Sequence, residues 1–134
     1  MNKIQKSDFD TSFSFDYYPD KELSSSDKGI NILIKHDYYS SDNEHGRDLL
    51  AIFLSQISES NSEIRSVMIV DQGVKLLSEN NSIYNEIIEI INKSTLNYIN
   101  EDSLNEYGIT LSEELNVVKI TSDIFFEELL HNKP

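Results

Sequence analysis

The sequence predicts a three-layer α/β/α fold around a mainly parallel sheet of four or five strands. Three observations predict it. Short apolar runs rich in Ile, Leu and Val recur after residue 28, as at Ile30–Ile34 and Val67–Val70. Each is followed by a segment whose apolar residues fall at helical spacing. Polar or glycine-containing turns separate the two kinds of segment. Strands that alternate with helices pair in parallel, because each crossover helix returns the chain to the same end of the sheet. The crossovers are expected to be right-handed.

The chain has 134 residues, the size of one domain. Residues 1–28 read as a polar N-terminal tail or arm, with Ser24-Ser25-Ser26-Asp27-Lys28 as loop composition. Within them Phe13, Phe15 and Tyr17 alternate with Ser12, Ser14 and Asp16, so an edge strand is expected at 12–18, ending before Pro19. The α/β domain is expected over 29–134. Ile30, Ile32, Leu33 and Ile34 make the first buried strand. Ser41-Asp42-Asn43-Glu44 fits a capping box, and the helix it opens carries Leu49, Leu50, Phe53, Leu54 and Ile57 on one face. Ile64 to Asp71 is the second strand, broken at Gln72-Gly73. A helix from about Ser82 places Ile83, Ile87, Ile88 and Ile91 together. Leu96–Ile99 is the third strand. Asp102 is expected to cap a short helical turn that ends at Gly108. Leu115–Ile120 is the fourth strand, and Thr121-Ser122-Asp123 starts a last helix bearing Ile124, Phe125 and Leu129.

Composition narrows the function. The formal net charge is −13, from 24 acidic and 11 basic residues. A field of that sign repels phosphate backbones and anionic lipid, so neither nucleic acid nor a membrane is expected as a partner. With no cysteine, the chain has no disulfide, thiolate metal site or cysteine nucleophile. No apolar leader is visible at the N-terminus, and the longest apolar run is far too short to span a bilayer. A cytoplasmic location is the resulting expectation. No cofactor is expected, since no glycine sits in a G-x-G-x-x-G or P-loop pattern.

In an open parallel sheet, ligands bind outside the carboxyl ends of the strands. Four loops meet there. They hold His36 to Arg47, Gln72 to Lys75, Asn100 to Ser103, and Thr121 to Asp123. The candidate ligand-binding residues are Asp42, Glu44, Arg47, Gly73, Val74, Lys75, Asn100 and Ser103. Arg47 and Lys75 stand near helix starts, where the dipole disfavours a cation, so each calls for a carboxylate partner or an anionic ligand. An Arg47 ion pair with Asp42 or Glu44 is the simpler reading. The carboxylates near His45 lack the ligand order of a calcium loop, and no metal is expected. Tyr98 and Tyr107 are expected near the same rim, in core or interface. Val74-Lys75-Leu76-Leu77 has the form of an amphipathic turn able to pack between subunits.

The same loops carry a resemblance. Asp42-Asn43-Glu44-His45-Gly46-Arg47-Asp48-Leu49-Leu50 resembles the "D-x-E-x-G-R-x-L" junction of the DsrE-like domain in YedF-type proteins. Gly73-Val74-Lys75-Leu76 resembles the family's "S-G-V-K-L" turn. Ser103-Leu104-Asn105-Glu106-Tyr107-Gly108-Ile109 is similar to its "C-L-D-Y-Y-G-L" element. The resemblance spans roughly Gly29 to Leu130. It implies a DsrE/flavodoxin-like domain related to sulfur-relay and selenium-metabolism proteins, and a homo-oligomer (dimer, trimer or hexamer) with scope for a further protein partner.

Three departures qualify that implication. Asn100-Glu101-Asp102-Ser103 stands where the family has C-x-x-C, so neither thiol is present. The first 28 residues are too few and too polar for the family's upstream carrier domain. The final short strand is missing, and the Phe13–Tyr17 segment is a candidate for that edge. A persulfide carrier needs a thiolate, so the expected function is non-catalytic: a binding, assembly or accessory protein related to sulfurtransferases. The alternative is a small-anion-binding protein or an enzyme that uses the strand-end pocket with Arg47, Lys75 and Ser103.

Overall fold

A computed structural model describes residues 13–15 and 29–131. Its elements are β1 (Phe13–Phe15), β2 (Ile30–Ile34), α1 (Glu44–Glu59), β3 (Ile64–Ile69), a 3-10 helix η1 (Asp71–Leu77), α2 (Tyr84–Lys93), β4 (Ser94–Asn100), α3 (Glu101–Tyr107), β5 (Val118–Ile120) and α4 (Ser122–His131).

Five strands form one sheet in the order β1-β2-β3-β4-β5. β2 to β5 are parallel, with Ile34 beside Ile69, Ile69 beside Ile99 and Asn100 beside Ile120. β1 pairs antiparallel with β2, Phe13 opposite Ile34 and Phe15 opposite Ile32, and so supplies the expected edge strand. The remainder of the 12–18 segment lies outside the described residues. Strand order follows the chain without the reversal of a flavodoxin-like sheet. With crossovers of one hand, such an order sends successive crossovers over the same face.

The core shows that they do. Ile30, Ile32 and Ile34 alternate with half-buried residues along β2, and this buried row packs with Leu50 and Leu54 of α1, Ile87, Ile90 and Ile91 of α2, and Leu104 of α3. Each of these side chains contributes roughly 1.5–3 kcal/mol through the apolar surface it removes from water. α4 contacts β4, and its buried Phe125 stands outside that cluster. Its neighbour Phe126 lines one cavity with Leu33 and Lys35, whose positions alternate with the Ile32–Ile34 row and so lie on the other face of the sheet. α4 therefore supplies the third layer. β3, central in the sheet, is buried at five of its six positions, as expected of a strand covered on both faces.

Several local expectations need correction. The cap of α1 is Asn43, not Ser41: Asn43 is extended and its Oδ1 accepts from the Gly46 N–H at 2.8 Å, so the helix starts at Glu44. Asp102 does not cap α3; Asn100 does, through the Ser103 N–H at 2.9 Å. β5 begins at Val118 and not at Leu115, because the Asn116 carbonyl is taken by the Asn97 amide at 3.0 Å and is lost to the ladder. The turn after β3 winds into η1, which buries Val74, Leu76 and Leu77 completely or nearly so. Those residues belong to the core and cannot pack between subunits.

Gly46 is fixed by space. A Cβ there would lie 1.8 Å from the Ser41 carbonyl oxygen. Gly46→Ala is expected to lower the unfolding free energy by about 1–3 kcal/mol, because the loop backbone must move away from the helix. Leu49→Ala, three residues on at an exposed position of α1, is expected to change it by no more than about 1 kcal/mol. Urea unfolding monitored by circular dichroism measures both.

Candidate functional site

The carboxyl ends of β3, β4 and β5 are joined by one chain of hydrogen bonds. It begins with a backbone anomaly. β3 ends at Ile69, the Val70 N–H reaches the Ile34 carbonyl at 3.0 Å, and Asp71 then adopts a φ of 57°, in the left-handed region. That conformation costs a non-glycine residue on the order of 1–3 kcal/mol, and Asp tolerates it better than most. The Asp71 N–H donates to Ser103 Oγ at 2.8 Å, and its carboxylate accepts from the Tyr107 hydroxyl at 3.1 Å. Two residues on, Gly73 passes so close to β2 that a Cβ would stand 2.6 Å from the Ile34 carbonyl oxygen.

Ser103 Oγ donates in turn to Asn100 Oδ1 at 2.6 Å. The Asn100 Nδ2 donates to Ser122 Oγ at 3.0 Å, and Ser122 Oγ donates to Asp102 Oδ2 at 2.6 Å. Asp102 Oδ2 also accepts the Ser122 N–H at 3.1 Å. The Ser103 and Ser122 hydroxyls each donate their single hydrogen and accept one other. Asn100 and Ser103 are buried, as groups paired in this way can be.

Beside this network opens a cavity of about 500 Å³. Its polar wall holds Asp71, Asn100, Asp102, Ser103, Glu106 and Ser122, with Lys35 from the end of β2; Leu33, Val70, Tyr107 and Phe126 supply carbon surface. Three carboxylates face one ammonium. Tyr107 sits between Asp71 and the Lys75 ammonium, which lies 4.9 Å from its ring centroid. Loss of water around the Tyr107 hydroxyl, its hydrogen bond to Asp71, and the charges of Asp71 and Glu106 raise its pKa above the usual tyrosine value. Tyr38 is also raised, by burial and then by Asp42, Asp37 and Asp71.

Of the eight residues singled out from sequence, Asn100 and Ser103 line the cavity. Gly73 and Val74 are buried in η1 and do not line the cavity. Lys75 engages the Tyr107 ring. Asp42 and Arg47 form an ion pair of 3.4 Å, exposed on both sides and therefore of little energetic weight, and Glu44 opens α1 away from the cavity. Asp102 and Ser122 lie in loops that the strand-end rule pointed to but were not singled out, and Asp71 and Glu106 were missed as site residues. For Asp71 the available signal was an Asp at a strand end before Gln-Gly, a sequence that favours a left-handed turn. Among the described residues no group of three or more His, Asp or Glu is arranged to hold a metal ion, and no helix is long and apolar enough to cross a membrane.

Ser103→Ala leaves the Asp71 N–H without its acceptor and is expected to lower stability by about 1–3 kcal/mol in denaturant unfolding. Tyr107→Phe carries a pH signature. A tyrosine whose folded pKa is raised favours the folded state fully below the unfolded value near 10, and loses that contribution as pH rises through the folded value. Wild type is therefore expected to lose stability relative to Tyr107→Phe only above about pH 10. Absorbance titration of tyrosinate should show one of the latest steps missing in the variant.

No family model matches the chain, and neither a curated protein nor a solved structure matches it, so its chemistry is read from the residues of the pocket itself.

Proposed function

We propose that the chain is a non-catalytic binding domain, a cysteine-less relative of DsrE-like sulfur-relay proteins, that takes a small positively charged ligand at the carboxyl ends of its strands. The observation that carries this reading is the fully engaged Ser103 hydroxyl. Its hydrogen goes to the Asn100 amide oxygen and its oxygen accepts the Asp71 N–H. A serine nucleophile needs a base at that hydrogen, and an amide oxygen is not one. The residue that stands where the resemblance has a thiol thus builds the rim.

The charge of the cavity supports the ligand class. Asp71, Asp102 and Glu106 outnumber Lys35. Arg47 and Lys75, the cations an anion site would have used, are directed to Asp42 and the Tyr107 ring. Leu33, Val70 and Phe126 offer apolar contact for the uncharged part of a ligand, the usual composition of a small-molecule pocket. Homo-oligomer formation belongs to the same reading through its kinship to the sulfur-relay domains, and sedimentation velocity tests it.

Thermal unfolding in the presence of small amines and guanidinium compounds tests the ligand class. Such compounds are expected to raise the Tm of the wild-type chain, and Asp102→Asn is expected to remove most of the rise. Inorganic phosphate and simple carboxylates are expected to leave it unchanged. Stabilisation by phosphate with none from amines would overturn the assignment.

A further inference from the structure

α4 has apolar side chains on several sides of its axis. Phe125 is fully buried, whereas Ile124, Phe126 and Leu130 are 44%, 47% and 69% exposed. A helix apolar around most of its circumference suits an interior and not a water-facing layer. Phe126 and Leu130 are four residues apart and form one ridge. Asp123 and Glu127, also four apart, form the adjoining stripe, each three residues before a member of the ridge. α4 contains no Lys or Arg. The Thr121 hydroxyl, at 2.7 Å, and the Ile124 N–H hold the Asp123 carboxyl below its usual pKa, so it is charged at neutral pH.

We propose that this side of α4 docks a basic amphipathic segment of another protein, with apolar side chains on the Phe126–Leu130 ridge and Lys or Arg on Asp123 and Glu127. Charge decides the occupant. A second copy docked through this side of α4 would set one acidic stripe against its equal. A basic segment gains at both stripes, through apolar burial at the ridge and complementary charge beside it. The surface is distinct from the cavity at Leu130 and Glu127, neither of which lines the pocket.

Fluorescence anisotropy with two synthetic helical peptides of the same apolar pattern, one leucine–lysine and one leucine–glutamate, tests this on the full chain. Only the lysine peptide is expected to bind, more weakly at high salt. Leu130→Ser and Glu127→Lys are each expected to weaken binding by about tenfold, the size of a strong interface contact. Ile52→Ser, at a 57% exposed site on α1, is the control and is expected to leave binding unchanged. Equal weakening by Ile52→Ser would overturn the proposal, since it would mean that the peptide takes exposed apolar side chains elsewhere on the chain and not the α4 ridge in particular. Unchanged binding by Leu130→Ser would overturn it too. So would sedimentation showing a dimer of the unliganded chain that Leu130→Ser dissociates, because the ridge would then belong to a second copy.

Discussion

The hydrogen bond from the Asp71 amide to the Ser103 hydroxyl is the constraint on which the strand-end pocket depends. Asp71 must turn left-handed for the chain to leave β3 and enter η1. Its N–H is then directed sideways, away from any helical or strand partner, and an unmet buried donor would add about 1–3 kcal/mol to the strain of the turn. Ser103 meets it at 2.8 Å. Ser103 is in place because Asn100 caps α3 with the same oxygen that receives the serine hydrogen. One turn of strained backbone, one cap and one short helix are thus a single unit, and Asn100 extends it to Ser122 at the start of α4.

The fold was legible because its signal is periodic. The four parallel strands and three longer helices each announced themselves by runs or spacings of Ile and Leu, and the buried residues of α1 and α2 include most of those expected. Boundaries were less legible, because side chains at the ends compete with the backbone. Asn43 displaced Ser41 as a cap, and the Asn97 amide took a carbonyl that the β5 ladder would have used. η1 escaped notice because a seven-residue 3-10 segment gives apolar residues no sustained helical spacing. In the site, the loops were legible and the partners were not. The strand-end rule located Asn100, Ser103 and the Thr121–Asp123 turn, but which polar atoms face one another depends on loop backbone that periodicity does not describe. Asp71 is the clearest instance: read as the last residue of a strand, it is the turn that shapes the cavity.

The absence of a thiol and the geometry of Ser103 are two sides of one chemical fact. A thiol is a weak hydrogen-bond donor and acceptor, and a reactive one is kept accessible and electropositively surrounded. A hydroxyl is a good donor and acceptor and favours saturation. Here Ser103 is 8% exposed, both of its hydrogen-bonding roles are filled, and the neighbouring charges are Asp71, Asp102 and Glu106. Such surroundings would raise a thiol's pKa and blunt it as a nucleophile. On the proposed reading the pocket holds polar and cationic groups, and Ser103 serves as part of its frame.

Phe126 stands in two places at once. Part of its ring lines the cavity with Leu33 and Lys35, and the rest lies on the ridge it shares with Leu130. Packed at a T-shaped angle on the buried Phe125, with ring centroids 5.4 Å apart, it is held at one edge and open at another. A ligand that presses on it from the cavity and a segment that covers it from outside would each bias the same ring. By linkage the effect of one on the other's affinity must be reciprocal, with equal coupling free energy in both directions. The proposed pocket ligand and the proposed docked segment would thus meet at one side chain, Phe126, and each would bias the binding of the other.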